Sequence, residues 1–578
     1  MIQVSSIDHV VTEAVMVRSI PRPVRANTLD LPAVPRWLQS LILLFLAPIL
    51  AWAELRILRA ILPHWTHHPL VQLGQWYDPA PVVTACAAYR APAGPGAPPT
   101  YTLEQLVRAE IARAWAESGS DRDLEWHLSS NVVVRWFVGL SLFQPVPDHT
   151  TRNDFHQWMS THAPAVFFRD VLTFLGRVDP EDAGTTPQIV DTFAMESPAA
   201  WSPRVANLLL DLCADLRAAW ERHAPRALQR ALPPLDRGPI RRPMRPRDAV
   251  ERQALLVQAV RLSQWLLAGC TPVQPQLPPP ARAAIDPLLA ALTKVLADEI
   301  AFDATDYPTE RPPRKKGSYR IISATDSEAT FRHHDDDLTL GYNVAIATTA
   351  TRIRAVVALT GATPDSQAPS ALLQQQQAAG QALPPFVIMD RAGGWGKCRA
   401  RVDVGSGGHP TMVALIPPAG GTEPGRFGPQ DFRVDAERTT CTCPNQVVST
   451  RAYASGDGEG KHFRYLASDC RGCALWEPCR GKDGNPNGHR SVCMSDYQPY
   501  LRRADAFNAT KEGQALLGQR WRVEPTIAWL VQYQGCRRAR RVGRDAAQFQ
   551  LYQACAVRNL LLWLNRVQRR EAPRPVRS

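Results

Sequence analysis

FVIMDRAGG (386–394) decides how this chain is read. Four apolar residues run without alternation into Asp390 and then into a glycine pair. An uninterrupted apolar run of this length, closed by turn residues, fits a strand buried on both faces. QIVDTFAM (188–195) is built alike, with Asp191 closing its apolar start. A carboxylate at the tip of a buried strand stands at the sheet edge where α/β folds form their sites. Taken singly, each acid is equally a turn or helix cap.

Working outward, GYNVAIATT (341–349) and IRAVVALTGA (353–362) are β-rich and close enough to pair, and MVALI (412–416) is a further strand. QAPSALLQQQQAAGQAL (367–383) is helix-like. Residues 201–300 are strongly helical, with Leu208, Leu209, Leu212 and Leu216 in one segment and Leu255, Leu256, Val260 and Leu266 in another. Basic connectors follow at 237–247 (RGPIRRPMRPR) and 311–320 (RPPRKKGSYR), either solvated loops or phosphate contacts. The fold class is therefore α/β, a mixed sheet split by a helical insertion. Upstream, residues 102–178 are helical, with Leu103, Leu106, Val107, Ile111 and Ala114 at helical spacing. Asp148, Thr150 and Thr151 mark a helix start. Residues 1–100 are apolar and Pro-rich and end in APAGPGAPP (91–99).

The 578 residues carry 66 Lys plus Arg against 54 Asp plus Glu, a net +12. Charged residues are 21% and hydrophobic ones 45%, which excludes global disorder. A pI of about 9.3 points to a polyanionic partner. The apolar run Leu41 to Ala53 is broken by Pro48 and is shorter than the roughly 20 residues of a spanning helix. It is read as a buried or partner-facing helix. No basic start followed by an apolar block opens the chain, so the expected compartment is a reducing cytoplasm.

QRWRVEPTIAWLVQYQGCRRARRVG (519–543) adds a third acid. Arg520 and Glu524 are four apart and share a face if helical. Arg537, Arg538, Arg540, Arg541 and Arg544 crowd behind, and arginines continue to Arg577 around the apolar stretch FQLYQACAVRNLLLWLN (549–565). Two strand-tip Asp residues and a helical Glu can hold two divalent ions about 4 Å apart, which suits phosphodiester chemistry. Oxygen ligands favour Mg²⁺ or Mn²⁺. Rival acids are Asp326, Asp335, Asp336, Asp337 and Asp365. The 335–337 group reads as solvating a loop, and Asp365 as a helix cap.

Cys443, Cys470, Cys473 and Cys479 are the best set for a structural Zn²⁺ among the late cysteines, with C-x2-C spacing for one knuckle. Unligated thiols, or an Fe–S or redox role, stay open. Cys86, Cys213, Cys270, Cys398, Cys536 and Cys555 show no ligand spacing and read as packing residues.

In this order the passages resemble the DDE transposases of bacterial insertion sequences, whose catalytic core is RNase H-like. NVVVRWFVGLSLFQPVPDHTT (131–151) is similar to their N-terminal helical domain. QIVDTFAM, SATDSEATFRHHDDDLTLGYNVAIATT (323–349) and FVIMDRAGG are similar to their core strands, and RWRVE with GCRRARRVG to the terminal Glu helix and basic tail. The likeness spans roughly residues 128 to 565. It implies a catalytic triad of Asp191, Asp390 and Glu524 with two Mg²⁺ or Mn²⁺, and similar cysteine runs before the Glu helix. It implies double-stranded DNA as partner, both element ends and target. A homodimer on paired ends follows, with Arg520, Arg537, Arg538, Arg540, Arg541 and Arg544 as DNA contacts. Within the family pattern Y-x2-R-x3-E-x6-K, Leu517 and Val531 replace the Tyr and the Lys. Pro525 directly after Glu524 either starts the helix or kinks it.

The expected division is 1–100, an apolar N-terminal region; 101–180, helical; and 181–200 with 320–430, the RNase H-like core. Residues 201–319 are the helical insertion, 431–500 a small cysteine-rich insertion, and 501–578 the Glu helix and basic tail. The expected function is metal-dependent DNA cleavage and strand transfer. A decayed transposase that only binds DNA is one alternative, and a nuclease without transposition another.

Overall fold

The computed structural model describes residues 36–66, 68–90, 100–116, 120–142, 144–182, 185–199, 204–229, 248–334, 337–405, 411–415, 426–455, 458–482 and 484–571. The 91–99 linker, the 237–247 connector, Asp335, Asp336, Arg574 and Arg577 lie outside the described residues.

The strands fall where the apolar runs place them. β1 (Gln188–Glu196), β2 (Thr330–His334), β3 (Asp337–Thr348), β4 (Ile353–Thr360), β5 (Phe386–Ile388) and β6 (Thr411–Val413) form one sheet. Its order is β2-β3-β1-β5-β6, with β4 also on β3. β3 is antiparallel to β1, β2 and β4, whereas β1, β5 and β6 are parallel. The sheet is thus mixed, and the fold is α/β. The hairpin strand β2, in the polar FRHH run, has no apolar signature in the sequence. It pairs because Gly341 lets the first half of β3 turn past β1. A Cβ there would meet the Met195 carbonyl oxygen at 2.1 Å.

Alternation along the strands splits the sheet into two faces. Ile189, Phe193, Val344, Ile346, Val356 and Ile388 join one core, shared with the N-terminal helices and the C-terminal helix. Val190, Ala345, Ala347, Val387 and Met389 join a second, under α10 (Ala368–Ala378) and α11 (Gly396–Gly405). On the first face lie α1 (Arg36–Ile61), α2 (Leu103–Trp115), α3 (Asp121–Ser130), α4 (Val132–Val138), α5 (His149–His162) and α6 (Val166–Val178). Asp148 caps α5 by accepting from the Thr151 N–H at 2.7 Å, as its sequence signal indicates. Trp136 and Phe137 of the RWF run are core side chains, and the buried Arg135 donates to the Leu128 carbonyl at 3.0 Å. Glu54 of α1 accepts from Ser141 Oγ at 2.6 Å, so α1 is docked although Ile49 and Trp52 stay exposed. No helix among the described residues is long and apolar enough to cross a membrane.

The apolar C-terminal stretch becomes α15 (Arg544–Glu571), which packs on β4 and α6. It also satisfies the outer edge of β4. Asn559 accepts from the Ile353 N–H at 2.7 Å and donates to its carbonyl at 2.9 Å. Gln548 does the same for the Ala358 N–H and the Val356 carbonyl, both at 2.8 Å. Side-chain amides thus occupy backbone groups that an open edge strand would present to another chain.

α7 (Val205–His223), α8 (Ala249–Cys270) and α9 (Pro279–Glu299) carry a core of their own. The 311–320 connector closes it. Lys316 Nζ stands 2.7 Å from the buried Glu299 carboxylate, which Arg320 also pairs. Those two cations are therefore committed inside the insertion rather than offered to phosphates. The cysteine-rich stretch has a further core around Phe432, Phe463 and Tyr465. The six cysteines read as packing residues are all buried.

Candidate active site

β1 and β5 run side by side in parallel, with Gln188 level with Val387 and Ile189 level with Ile388. Asp191 is not at a strand tip, because β1 runs on to Glu196 and pairs it with Ile346, whereas Asp390 lies two residues past the end of β5. Alternation puts both on the face of Ile189 and Ile388. One oxygen of each carboxylate is held by the backbone. The Thr192 N–H donates to Asp191 Oδ1 at 2.8 Å, and the Ala392 N–H to Asp390 Oδ1 at 2.9 Å. Asp390 thereby starts the tight turn Arg391–Gly394. Arg399 of α11 ties that turn to β6. Its buried guanidinium donates to the carbonyls of Gly394 at 3.1 Å, Met412 at 2.7 Å and Ala414 at 2.6 Å.

Burial pushes the Asp191 carboxyl up to about 6, and the neighbouring charges of Asp390 and Asp365 push the same way. The Thr192 N–H and Arg520 oppose them without prevailing. Burial first, and the nearby acids second, make the charged form of Asp191 costly at this position.

Glu524 opens α14 (Glu524–Tyr533), so Pro525 sits in the first turn and starts the helix rather than kinking it. The preceding turn, Arg520–Val523, lies against β1 and buries Val523 in the first-face core. Arg520 Nη2 pairs with Glu524 Oε1 at 3.3 Å and also acts on the Asp191 carboxyl. The fold thus brings Asp191 and Asp390 together and links Glu524 to them through Arg520. Among the described residues no group of three or more His, Cys, Asp or Glu side chains stands arranged to hold a metal ion. Leu517 and Val531, at the altered family positions, are half-buried against the first-face core.

The arginines do not form one uniform face. The 537–539 segment bridges onto the end of β1, where the Glu196 N–H donates to the Arg537 carbonyl at 2.9 Å and the Ala539 N–H to the Glu196 carbonyl at 2.8 Å. Arg537 and Arg538 there are exposed, Arg538 70% so and 3.8 Å from Glu196. Arg541 instead turns inward, donating to Asn153. Burial alone would raise the Glu110 carboxyl, but His156, Arg113 and Arg541 together hold it below its usual range. Arg544 pairs with Glu328 at 2.8 Å, and Arg540 is half-buried.

Asp365, expected as a helix cap, does not cap: Pro364 and Gln367 hold the cap positions there, without side-chain cap bonds. It accepts from Asn343 Nδ2 at 2.7 Å, lies 3.5 Å from the buried Arg332, and acts on Asp191. Arg332 in turn donates to Thr192 Oγ1 at 3.0 Å. Sequence reading missed this Arg332–Asn343–Asp365 brace; a polar Asn inside an apolar strand was its one signal. Asp326 is consumed elsewhere, accepting from Ser197 Oγ at 2.6 Å and from the Tyr342 hydroxyl. The 335–336 acids lie outside the described residues. Two tryptophans also flank the acids in sequence, Trp395 after Asp390 and Trp521 before Glu524, each 58% exposed.

Two family models match the chain. A Transposase domain (DUF772) covers residues 57–158, and a Transposase DDE domain covers residues 442–562. Over these two spans the chain is similar to transposases, and over the second to their DDE domain. No curated protein and no solved structure matches the chain. The first span takes in α2 to α5 and the second takes in Cys443, Cys470, Cys473, Cys479, Glu524 and the arginine cluster. Asp191 and Asp390 lie outside both spans.

Proposed function

We propose that this chain is a transposase that cleaves DNA at the ends of its insertion sequence and joins the freed ends to target DNA, with Asp191, Asp390 and Glu524 as the acids. The observation that carries this is the parallel pairing of β1 with β5, which brings Asp390 close enough to act on the upward-shifted Asp191 carboxyl. A mixed sheet with parallel strands β1, β5 and β6, with Asp191 inside β1 and Asp390 just past the end of β5, supports an RNase H-like core built from 181–200 and 320–430. We assign 101–180 as its helical partner, 201–319 and 431–500 as insertions, and 501–578 as the Glu helix and basic tail.

The donor set is all carboxylate oxygen, the chemistry that Mg²⁺ or Mn²⁺ takes, and Asp191, Asp390 and Glu524 would hold two such ions once drawn closer than they stand. Such ions, when bound, stabilise the extra negative charge on a phosphate under attack. The chain's own part is positioning. Thr192 and Ala392 fix the carboxylate planes, Arg399 fixes the Asp390 turn, and Arg520 links Glu524 to the pair. In the first step water opens a phosphodiester and leaves a 3′-hydroxyl. That hydroxyl then attacks a target phosphodiester in line, a new P–O bond forms, and the displaced oxygen takes up a proton. Arg520, Arg537, Arg538, Arg540 and Arg544 supply positive charge along the DNA, with the exposed Arg537 and Arg538 as the main phosphate contacts and Arg541 kept for the fold. Joining needs two ends held together, so we assign a homodimer on paired ends, acting in the cytoplasm.

The test is strand transfer with Mg²⁺ on DNA carrying the sequences that flank the reading frame. Cleaved and joined products support the proposal. Cleavage that never leads to joining makes the protein a nuclease, and binding without cleavage makes it a decayed transposase.

A further inference from the structure

The cysteine-rich stretch of about 70 residues is of a size at which a single apolar core supplies only a few kcal/mol and a disulfide or metal staple adds to it. Its core among the described residues is small: Phe432, Cys441, Phe463, Tyr465, Val492 and Met494. Its cysteines are all free thiols.

Three separate turns bring four of those thiols to one cavity of about 30 Å³, lined by Cys443, Cys470, Cys473 and Cys479. That is room for a single ion or one or two waters. Cys443 opens the loop after Cys441–Thr442 and is fixed by its N–H on the Val447 carbonyl at 2.9 Å. Cys470 ends the short helix Ala467–Cys470, and the Cys473 N–H donates back to the Cys470 carbonyl at 3.1 Å. Gly472 makes that turn with φ +75°, a conformation side chains disfavour. The Leu475 N–H donates to Cys473 Sγ at 3.4 Å, so a backbone donor already faces sulfur that would carry negative charge. Cys479 enters from the helix Trp476–Arg480. Cys441 and Cys493 do not line this cavity: Cys441 belongs to the core, and Cys493 is exposed.

We propose that Cys443, Cys470, Cys473 and Cys479 bind one structural Zn²⁺ that staples the cysteine-rich region. Each thiol gives its proton to solvent on binding. Four thiolates around one Zn²⁺ leave two excess negative charges, and two arginines line the same cavity, Arg480 and Arg490. Both are held in place, Arg480 by the carbonyls of Gly488 and Asn485 at 2.9 Å and Arg490 by that of Phe427 at 2.9 Å. As the four thiols stand they are not arranged as a metal group, so binding draws their sulfurs inward onto the ion. This inference is independent of the acidic site.

The test is metal analysis of the full chain purified under reducing conditions. We expect about one zinc per chain, lost in Cys473→Ser and in Cys479→Ser and kept in Cys493→Ser. Because the serine variants can fail to fold, Co²⁺ substitution of the wild-type chain gives a second readout, the strong thiolate-to-cobalt absorption of a four-sulfur site. Absence of bound zinc, iron in its place, or a cobalt spectrum lacking thiolate bands overturns the proposal.

Discussion

Asp191, inside β1, and Asp390, two residues past the end of the parallel strand β5, each have one carboxylate oxygen held by a backbone N–H, and the Asp390 charge acts on Asp191. Burial, reinforced by the charge of Asp390, raises the Asp191 carboxyl from 3.8 to about 6. Asp191→Asn and Asp390→Asn should each lower DNA cleavage at least about a hundredfold. Asp191→Asn should at the same time stabilise the metal-free protein at pH 8, by at most about 3 kcal/mol for a shift of this size. The sign follows from the raised pKa: the penalty is absent below pH 4, grows between pH 4 and 6, and is complete above. Denaturant unfolding at pH 4 and pH 8 measures both ends.

Divalent cations should reverse that penalty. We expect the thermal midpoint to rise with Mg²⁺ or Mn²⁺, more at pH 7.5 than at pH 5, where Asp191 is largely protonated. In Asp191→Asn the cation response should shrink and lose its pH dependence. Scanning fluorimetry across the two pH values checks this.

The arginines of one cluster should separate by role. Arg538→Ala, at an exposed site, should weaken DNA binding evenly across sequences and reduce the salt slope by about 1. Arg541→Ala should instead destabilise the fold, because it removes a cation that supports the buried Glu110 and its bond to Asn153. Salt-titrated binding paired with unfolding curves distinguishes the two.

Asn559 should matter for stability alone. Its side chain is buried and satisfies both the N–H and the carbonyl of Ile353. Asn559→Leu leaves those two groups unpaired and should cost on the order of 3 kcal/mol, with increased aggregation from the uncovered β4 edge. Equilibrium unfolding and light scattering read the two effects.

The strands that carry Asp191 and Asp390 were legible because burial on both faces leaves an unbroken apolar run ending in an acid. The Asp148 cap and the helix start at Pro525 were legible for local reasons, since each lies within a few residues of what it fixes. The brace of Arg332, Asn343 and Asp365 was not, because it joins three segments whose meeting depends on the β3 register. Arg399 looked like one more cation in an arginine-rich chain, yet it is buried and spends its donors on three carbonyls. Arg541 was read with its neighbours as a DNA contact, and only the packing of α2 and α5 shows it turned inward. Strand β2 escaped notice because hairpin pairing, not side-chain pattern, makes it a strand.

The central claim, that Asp191 in β1 and Asp390 just past β5 perform metal-dependent DNA joining, is tested most directly by one comparison. Wild-type and Asp390→Asn proteins of equal fold stability are assayed for strand transfer on DNA bearing the flanking end sequences, with Mg²⁺ and with chelator. We expect joined products only from wild type with Mg²⁺. Full joining by Asp390→Asn, or joining by wild type in chelator, would contradict the claim.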